Sequence, residues 1–274
     1  MIHITNLSHA YRNQILFENI SFILQKDNRI GLVGRNGAGK STLLKIIARE
    51  IIPDTGTISI PSNFKLGYMP QEVIIESTRS ILLEAFYALP EIGPLAERHA
   101  TVIHMLEYEK NNHVLLHEYA DLETQLQLLN FEEVKSDIKK ILRGLGFSLQ
   151  DLQKPMNTLS TGWKMRVVLA KLLAQKADFY LFDEPTNHLD IVAQEWFAEF
   201  LMNASFGFLL VSHQKYFLDT LCTKIIEVEN GKIIHYVGNY TAYCNTKKKT
   251  LEQLESAHAQ QQLEIKNTKA LIDR

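Results

Sequence analysis

Cysteine is scarce in this chain of 274 residues: only Cys222 and Cys244 occur, with no Cys-x-x-Cys spacing and no metal-ligand pattern around them. That excludes a disulfide-stapled scaffold and a cysteine metal site, and it fits a reducing compartment. An excess of one charge is also missing. The net charge is −2, so nothing in the overall charge points to wholesale nucleic-acid binding, and any polyanion contact would need a local patch. Long hydrophobic runs are absent too. Stretches such as Phe206 to Val211 fall far short of the roughly 20 apolar residues that span a bilayer. The N-terminus, Met1-Ile2-His3-Ile4-Thr5-Asn6-Leu7, lacks the basic start and apolar run of a signal peptide. These absences lead us to expect a soluble, cytoplasmic protein with no direct membrane insertion. With 46% hydrophobic and 22% charged residues, the chain has material for a sizeable core and no signature of disorder.

The first third reads as strands broken by turns. Residues 1–7 and 15–24 are apolar-rich around Arg12-Asn13-Gln14, which predicts a hairpin. Arg29 to Val33 is a short buried-strand pattern that runs into a glycine-rich stretch. The segment from Lys40 to Glu50 has helical spacing, with Leu43, Leu44, Ile46 and Ile47 as its apolar face. Pro53-Asp54-Thr55-Gly56 is a turn, and short strands are expected at 57–60 and 64–69. From about Ser80 to Leu152 the pattern becomes helical, and Leu115, Leu116, Tyr119, Leu122, Leu126 and Leu129 are expected to form one apolar stripe. Alternation then returns. Helices are expected at 162–175 and 191–203, strands at 179–182 and 206–211, and a hairpin over 225–237 closed by Asn230-Gly231. From Lys247 the chain is polar and helix-prone.

Three stretches carry chemistry. Gly34-Arg35-Asn36-Gly37-Ala38-Gly39-Lys40-Ser41 matches the phosphate-loop pattern G-x-x-x-x-G-K-[ST] between a strand and a helix. The glycines let backbone N–H groups turn toward phosphate oxygens, and the helix N-terminus adds its dipole. Lys40 supplies a cation for the β- and γ-phosphates, and Ser41 offers a hydroxyl to Mg²⁺. The second stretch, Phe179-Tyr180-Leu181-Phe182-Asp183-Glu184, is an apolar strand ending in two carboxylates. Asp183 there suits a Mg²⁺ shell, and Glu184 suits a base that polarises water. In the third, Leu159-Ser160-Thr161-Gly162-Trp163, Ser160 stands where a helix N-cap would.

These motifs, with Gln71 after Gly67-Tyr68-Met69-Pro70 and with His213 last, come in the order of ATP-binding cassettes. The resemblance covers essentially the whole chain. It sharpens at Glu184-Pro185-Thr186-Asn187-His188-Leu189-Asp190, which resembles the ABC-F proteins, cassette ATPases that act on ribosomes. Val211-Ser212-His213-Gln214-Lys215-Tyr216-Phe217-Leu218-Asp219 and Gly238-Asn239-Tyr240-Thr241-Ala242-Tyr243 are similar to segments of that family.

The resemblance implies an α/β fold, a P-loop NTPase cassette with a mainly parallel core sheet, an N-terminal antiparallel β subdomain and a helical subdomain. It implies an ATP-binding core at 1–79 and 158–246, a helical subdomain with an arm-like insert at 80–157, and the start of a helical interdomain linker at 247–274. The cofactors implied are ATP and Mg²⁺. Tyr11 would stack on adenine, although a hairpin tyrosine packed on its neighbours is the alternative. Residues Gly34, Arg35, Asn36, Gly37, Ala38, Gly39, Lys40, Ser41 and Thr42 would cradle the phosphates, and Ser41, Gln71 and Asp183 would hold the metal. Glu184, His213 and Gln71 would carry catalysis, with His213 bonded to the γ-phosphate. Asp190 would sit at a contact between cassettes. Ser160 and Gly162 would cap the ATP of a second cassette, which lies either in a further part of a longer chain or in a homodimer. Thr161 departs from the family's usual glycine. Lys247-Lys248-Lys249 is either a solvated helix end or a contact for ribosomal RNA phosphate. Two other readings fit the motifs less well: the ATPase subunit of a membrane transporter, and a degenerate cassette that only binds ATP.

Overall fold

A computed structural model describes residues 1–11, 14–71 and 76–272, with backbone alone for 257–259 and 263–272. Two strands of nearly unbroken apolar sequence fix its centre. Strands β6 (Phe179–Asp183) and β7 (Gly207–Val211) are buried at every position. Strands buried on both faces belong in a parallel sheet with layers on either side. They lie in a six-stranded sheet of order β5-β6-β7-β3-β8-β9, where β3 is Arg29–Gly34, β5 Leu66–Met69, β8 Lys224–Glu229 and β9 Lys232–Val237. All pairings are parallel except β8 with β9.

Alternate side chains of this sheet feed two cores. Tyr180, Phe182, Phe208 and Leu210 join a helical layer, whereas Phe179, Leu181, Leu209 and Val211 face the other side. On that side lies helix α1 (Lys40–Ile47), which buries Leu43, Leu44, Ile46 and Ile47 as its spacing predicts. Beyond it is an antiparallel sheet of β1 (Ile2–Tyr11), β2 (Gln14–Leu24) and β4 (Thr55–Ser59), in the order β2-β1-β4. The opposite layer contains α2 (Ile81–Phe86), α5 (Phe131–Gly144), α6 (Thr161–Ala174), α7 (Ile191–Met202) and α8 (Lys215–Leu221). Helices α3 (Gly93–Tyr108) and α4 (His113–Leu128) pair around a small core of their own, made of Val102, Leu115 and Leu122.

Local signals account for the boundaries. Asn112 Oδ1 accepts from the N–H groups of Val114 and Leu115 and starts α4. Asp190 Oδ1 accepts from Ala193 at 2.9 Å and starts α7. Asn230 and Gly231 have φ of 51° and 75°, the left-handed pair that a type I′ turn requires.

One expectation needs correction. Leu116 does not belong to the apolar stripe: it is 43% exposed, because it lies about 100° around the helix from buried Leu115. The helix-prone stretch from Lys247 lies within the last helix, α9 (Tyr240–Ile272), whose start is fixed where Asn239 Oδ1 accepts from Ala242 and Tyr243 is buried against the core. At the first hairpin, Tyr11 pairs with Gln14, and Arg12 and Asn13 lie outside the described residues.

Phe182 is fully buried and its ring lies 5.5 Å from both Tyr180 and Phe197. Phe182→Ala is expected to lower the free energy of unfolding by about 3–5 kcal/mol in urea denaturation. A loss under about 1 kcal/mol would contradict this strand's central place in the core.

Candidate functional site

In a parallel sheet the strands deliver their carboxyl ends to one edge, where ligands of α/β folds bind. At this edge β3 runs into the glycine loop and β6 runs into the two acids. Gly34 closes the strand with φ of 150°, and a Cβ there would come within 2.6 Å of the Val228 carbonyl. Gly39 has φ of 98° and occupies the N-cap position of α1 without any side-chain cap. The first-turn N–H groups of α1 therefore have no side-chain acceptor, and with the helix dipole they form an anion site. Lys40 Nζ donates to the carbonyls of Gly34, at 2.9 Å, and Arg35, at 3.1 Å. Burial lowers its pKa, against the pull of Glu184 and Asp183.

The acids sit in a costly environment. Asp183 is 2% exposed, and neither of its carboxylate oxygens has a hydrogen bond of good geometry. Burial raises its pKa above the ordinary carboxylate range, opposed by the neighbouring Ser41 hydroxyl and by Lys45 and Lys40. Glu184 adopts φ of 51°, a left-handed conformation that costs a non-glycine residue about 1–2 kcal/mol. Its N–H donates to the Val211 carbonyl at 3.0 Å, which fixes the turn against β7. Glu184 Oε2 accepts from the His213 N–H at 3.1 Å, and His213 Nε2 lies 3.4 Å from Oε1. Burial raises the Glu184 pKa, against the His213 N–H and ring.

One cavity of about 540 Å³ collects these groups. Tyr11, Asn36, Gly37, Gly39, Lys40, Ser41, Thr42, Gln71, Asp183, Glu184 and His213 all line it. Gly34, Arg35 and Ala38 line an adjoining space of about 1090 Å³ on the other side of the loop, which shares Asn36, Gly37, Lys40 and His213 with the first. Ser160 and Gly162 line neither cavity. Gly162 instead faces His188, whose Nδ1 would lie 3.8 Å from a Cβ placed there. Ser160 holds the N-cap position of α6 but makes no capping bond. Asn187 also lines the cavity, and sequence reasoning singled it out only as part of a longer motif.

The sequence profile described as ABC transporter matches residues 17–187, and a second profile of the same description matches 226–274. The chain belongs to the ABC transporter family. Over its whole length, its relatives are of the ABC-F type. It is 33% identical to ABC transporter F family member 5 of Arabidopsis thaliana and 34% identical to the ABC transporter ATP-binding protein YfmM of Bacillus subtilis. It is 32% identical to the probable ATP-binding protein YheS of Haemophilus influenzae. Each match covers 100% of this chain but only 40%, 53% and 42% of the respective relative. Among solved structures, the ATP-binding subunit of an ABC transporter gives a TM-score of 0.64 at 20% identity, covering 86% of this chain and 90% of the other. A dimeric ATP-binding cassette in a post-hydrolysis state, bound to ADP and Pi, gives 0.62 at 18%, covering 86% and 98%. The cassette fold is thus the one expected: a parallel-dominated sheet, an antiparallel β subdomain and helices.

Cassettes of this family bind ATP, and the residues present also suit Mg²⁺. Among the described residues, no group of three or more His, Cys, Asp or Glu side chains could hold a metal unaided. Mg²⁺ does not need one, because it takes one or two protein oxygens together with water and substrate phosphates. The buried, unsatisfied Asp183 carboxylate beside the Ser41 hydroxyl is such a pair.

A carboxylate whose pKa is raised on folding binds more protons folded than unfolded. It therefore destabilises the fold as pH rises from the ordinary carboxylate range through the raised value. Asp183→Asn is expected to raise the melting temperature of the nucleotide-free protein at pH 7. The gain should shrink toward zero as pH falls below the ordinary carboxylate range. A gain that is equal at every pH, or a loss at pH 7, would contradict an uncompensated buried charge.

Proposed function

We propose that this chain is one ATP-binding and ATP-hydrolysing cassette of a two-cassette ABC-F protein that acts on the ribosome, in translation regulation or ribosome protection, in the cytoplasm. The observation that carries the catalytic part is the pair at the end of β6. Asp183 offers an unsatisfied buried carboxylate, and Glu184 is held by His213 in the same cavity as Lys40 and Ser41. The ribosomal part rests on the resemblance of the Asn187–Asp190 segment and on the F-family relatives.

In this reading the loop N–H groups bind the phosphates, and Lys40 leaves the carbonyls of Gly34 and Arg35 to reach them. Tyr11 stacks on adenine. Asp183, Ser41 and Gln71 hold Mg²⁺, which when bound offsets negative charge on the β- and γ-phosphates. Glu184 accepts a proton from water as the water oxygen bonds to the γ-phosphorus and the bond to the bridging oxygen of ADP breaks. Burial suits Glu184 to this, since it makes the carboxylate a stronger base. His213 donates to the γ-phosphate. Ser160 and Gly162 cap the ATP of a second cassette, whose own pentad completes this site. Residues 1–79 and 158–246 serve as the core, 80–157 as the helical subdomain with its arm, and 247–274 as the start of the linker to the second cassette.

Glu184→Gln in the full protein is expected to bind ATP with affinity within about threefold of normal, while phosphate release falls by about 10²–10⁴-fold. The ATP-loaded variant is expected to co-sediment with ribosomes. Unchanged turnover would remove Glu184 as the base. Lost turnover without co-sedimentation would remove the ribosomal part alone, and co-purification with a membrane-spanning partner would favour a transporter subunit.

A further inference from the structure

Arg166 is a charged side chain without a part in the nucleotide cavity, yet only 9% of it is exposed. It sits on α6, just after the Leu159–Trp163 pentad. Its Nε donates to the His188 carbonyl at 2.9 Å. Its Nη1 donates to the Leu145 carbonyl at 3.0 Å and to Asp190 Oδ2 at 3.0 Å. The guanidinium carbon lies 4.2 Å from the centre of the Trp163 ring, which packs edge-to-face with Phe147 at a centroid distance of 4.9 Å. One planar fork thus joins three pieces of chain: the end of α5, the pentad helix, and the segment that leads from Glu184 to α7.

That last segment is held on its other sides by core packing of Leu189 and by the cap that Asp190 makes on α7, and its remaining hydrogen bonds run within the turn or to α7. Asn187 N–H donates to the Glu184 carbonyl at 3.2 Å and Leu189 N–H to the Thr186 carbonyl at 3.1 Å, both within the turn. Gln194 Nε2 donates to the carbonyls of Thr186 and Leu189 from α7. Among the described hydrogen bonds, Arg166 provides the ones that tie this segment to the pentad helix. The backbone at Gly146 is shaped to admit it: φ is 97°, and a Cβ there would stand 2.8 Å from Arg166 Nη1. Lysine would serve poorly in this place, because a point charge cannot donate in three fixed directions as a guanidinium can.

We infer that Arg166 is a positioning residue that locks the lent pentad to the segment behind the chain's own base, so that one cassette's two contributions to hydrolysis move as a single body. This rests on the reading of Ser160 and Gly162 as groups serving a second cassette's ATP. Hydrolysis needs both faces of a composite site seated within a fraction of an ångström, and a 1 Å displacement can cost about 100-fold in rate. Releasing the fork loosens two faces at once, the pentad and the Glu184–Asp190 segment. It leaves Lys40, Ser41 and Tyr11 where they are.

The test is steady-state kinetics on the full protein with Arg166→Met and Arg166→Lys, together with ATP-driven closure of the two cassettes followed by small-angle scattering in a Glu184→Gln background. Arg166→Met is expected to lower kcat by about 10- to 100-fold with KM changed less than about threefold, and to abolish closure in the Glu184→Gln background. Arg166→Lys is expected to recover part of both, since it keeps a charge beside Asp190. Should Arg166→Met lose its cooperative melt, Arg166→Lys decides, and wild-type kcat in that variant would overturn the inference. So would a folded Arg166→Met that closes and turns over like its parent. A Glu184→Gln parent that itself fails to close with ATP would overturn the composite-site reading, and this inference with it, whatever Arg166 does.

Discussion

The burial of two adjacent carboxylates at the end of an apolar strand governs the rest of the site. Nothing in the core of β6 offers them a counter-charge, since Phe179 to Phe182 bring only aromatic and aliphatic surface. Such a charge raises its own pKa or finds a partner. Among the described residues, Asp183 has neither a hydrogen bond of good geometry nor an ion pair, and Glu184 has the His213 N–H and ring. The compensation available is across the cavity, from Lys40 and Ser41 on the glycine loop and from whatever cation and water enter with the phosphates. That uncompensated point is where the chemistry is proposed to occur.

The sheet topology exists to bring these groups together. β7 lies between β3 and β6, so that the loop after Gly34 and the acids after Phe182 emerge from the same edge with one strand separating them. Strand β7 then continues through Ser212 to His213, whose N–H reaches back to Glu184. Parallel pairing is what puts all three exits on one side. A register slip by one residue in β6 would turn Asp183 into the opposite core, and the fully buried aromatics Tyr180 and Phe182 on one face make that slip expensive.

Much of this was legible in the sequence, for physical reasons that differ by element. The glycine loop could be read because its geometry permits few other residues, as Gly34 and Gly39 show by the contacts that a Cβ would make. The Asn230-Gly231 hairpin could be read because only left-handed residues close it. Strand β6 was legible from composition, since four apolar residues before two acids leave few alternatives. The arm was harder. Leucines 115 and 116 look equivalent in a window of sequence, and only the partner helix α3 decides which of the two is covered. The start of α9 was not legible, because Tyr243 packs into the core and the polar stretch after it carries no boundary signal of its own. Arg166 was invisible, because its role comes from three carbonyl and carboxylate acceptors distant in sequence. Its acceptors' positions are properties of the fold, not of any local pattern.

The Gly34–Ser41 loop and Asp183 are proposed to form one half of a metal-dependent ATP site. Calorimetric titration with ATP, in Mg²⁺ and in EDTA, of the wild-type chain and of Ser41→Ala tests this assignment. Binding in Mg²⁺ is expected to weaken at least about tenfold in EDTA, and the Ser41→Ala variant to be weak in both conditions. Equal affinity with and without Mg²⁺, or a Ser41→Ala variant indistinguishable from wild type, would contradict it.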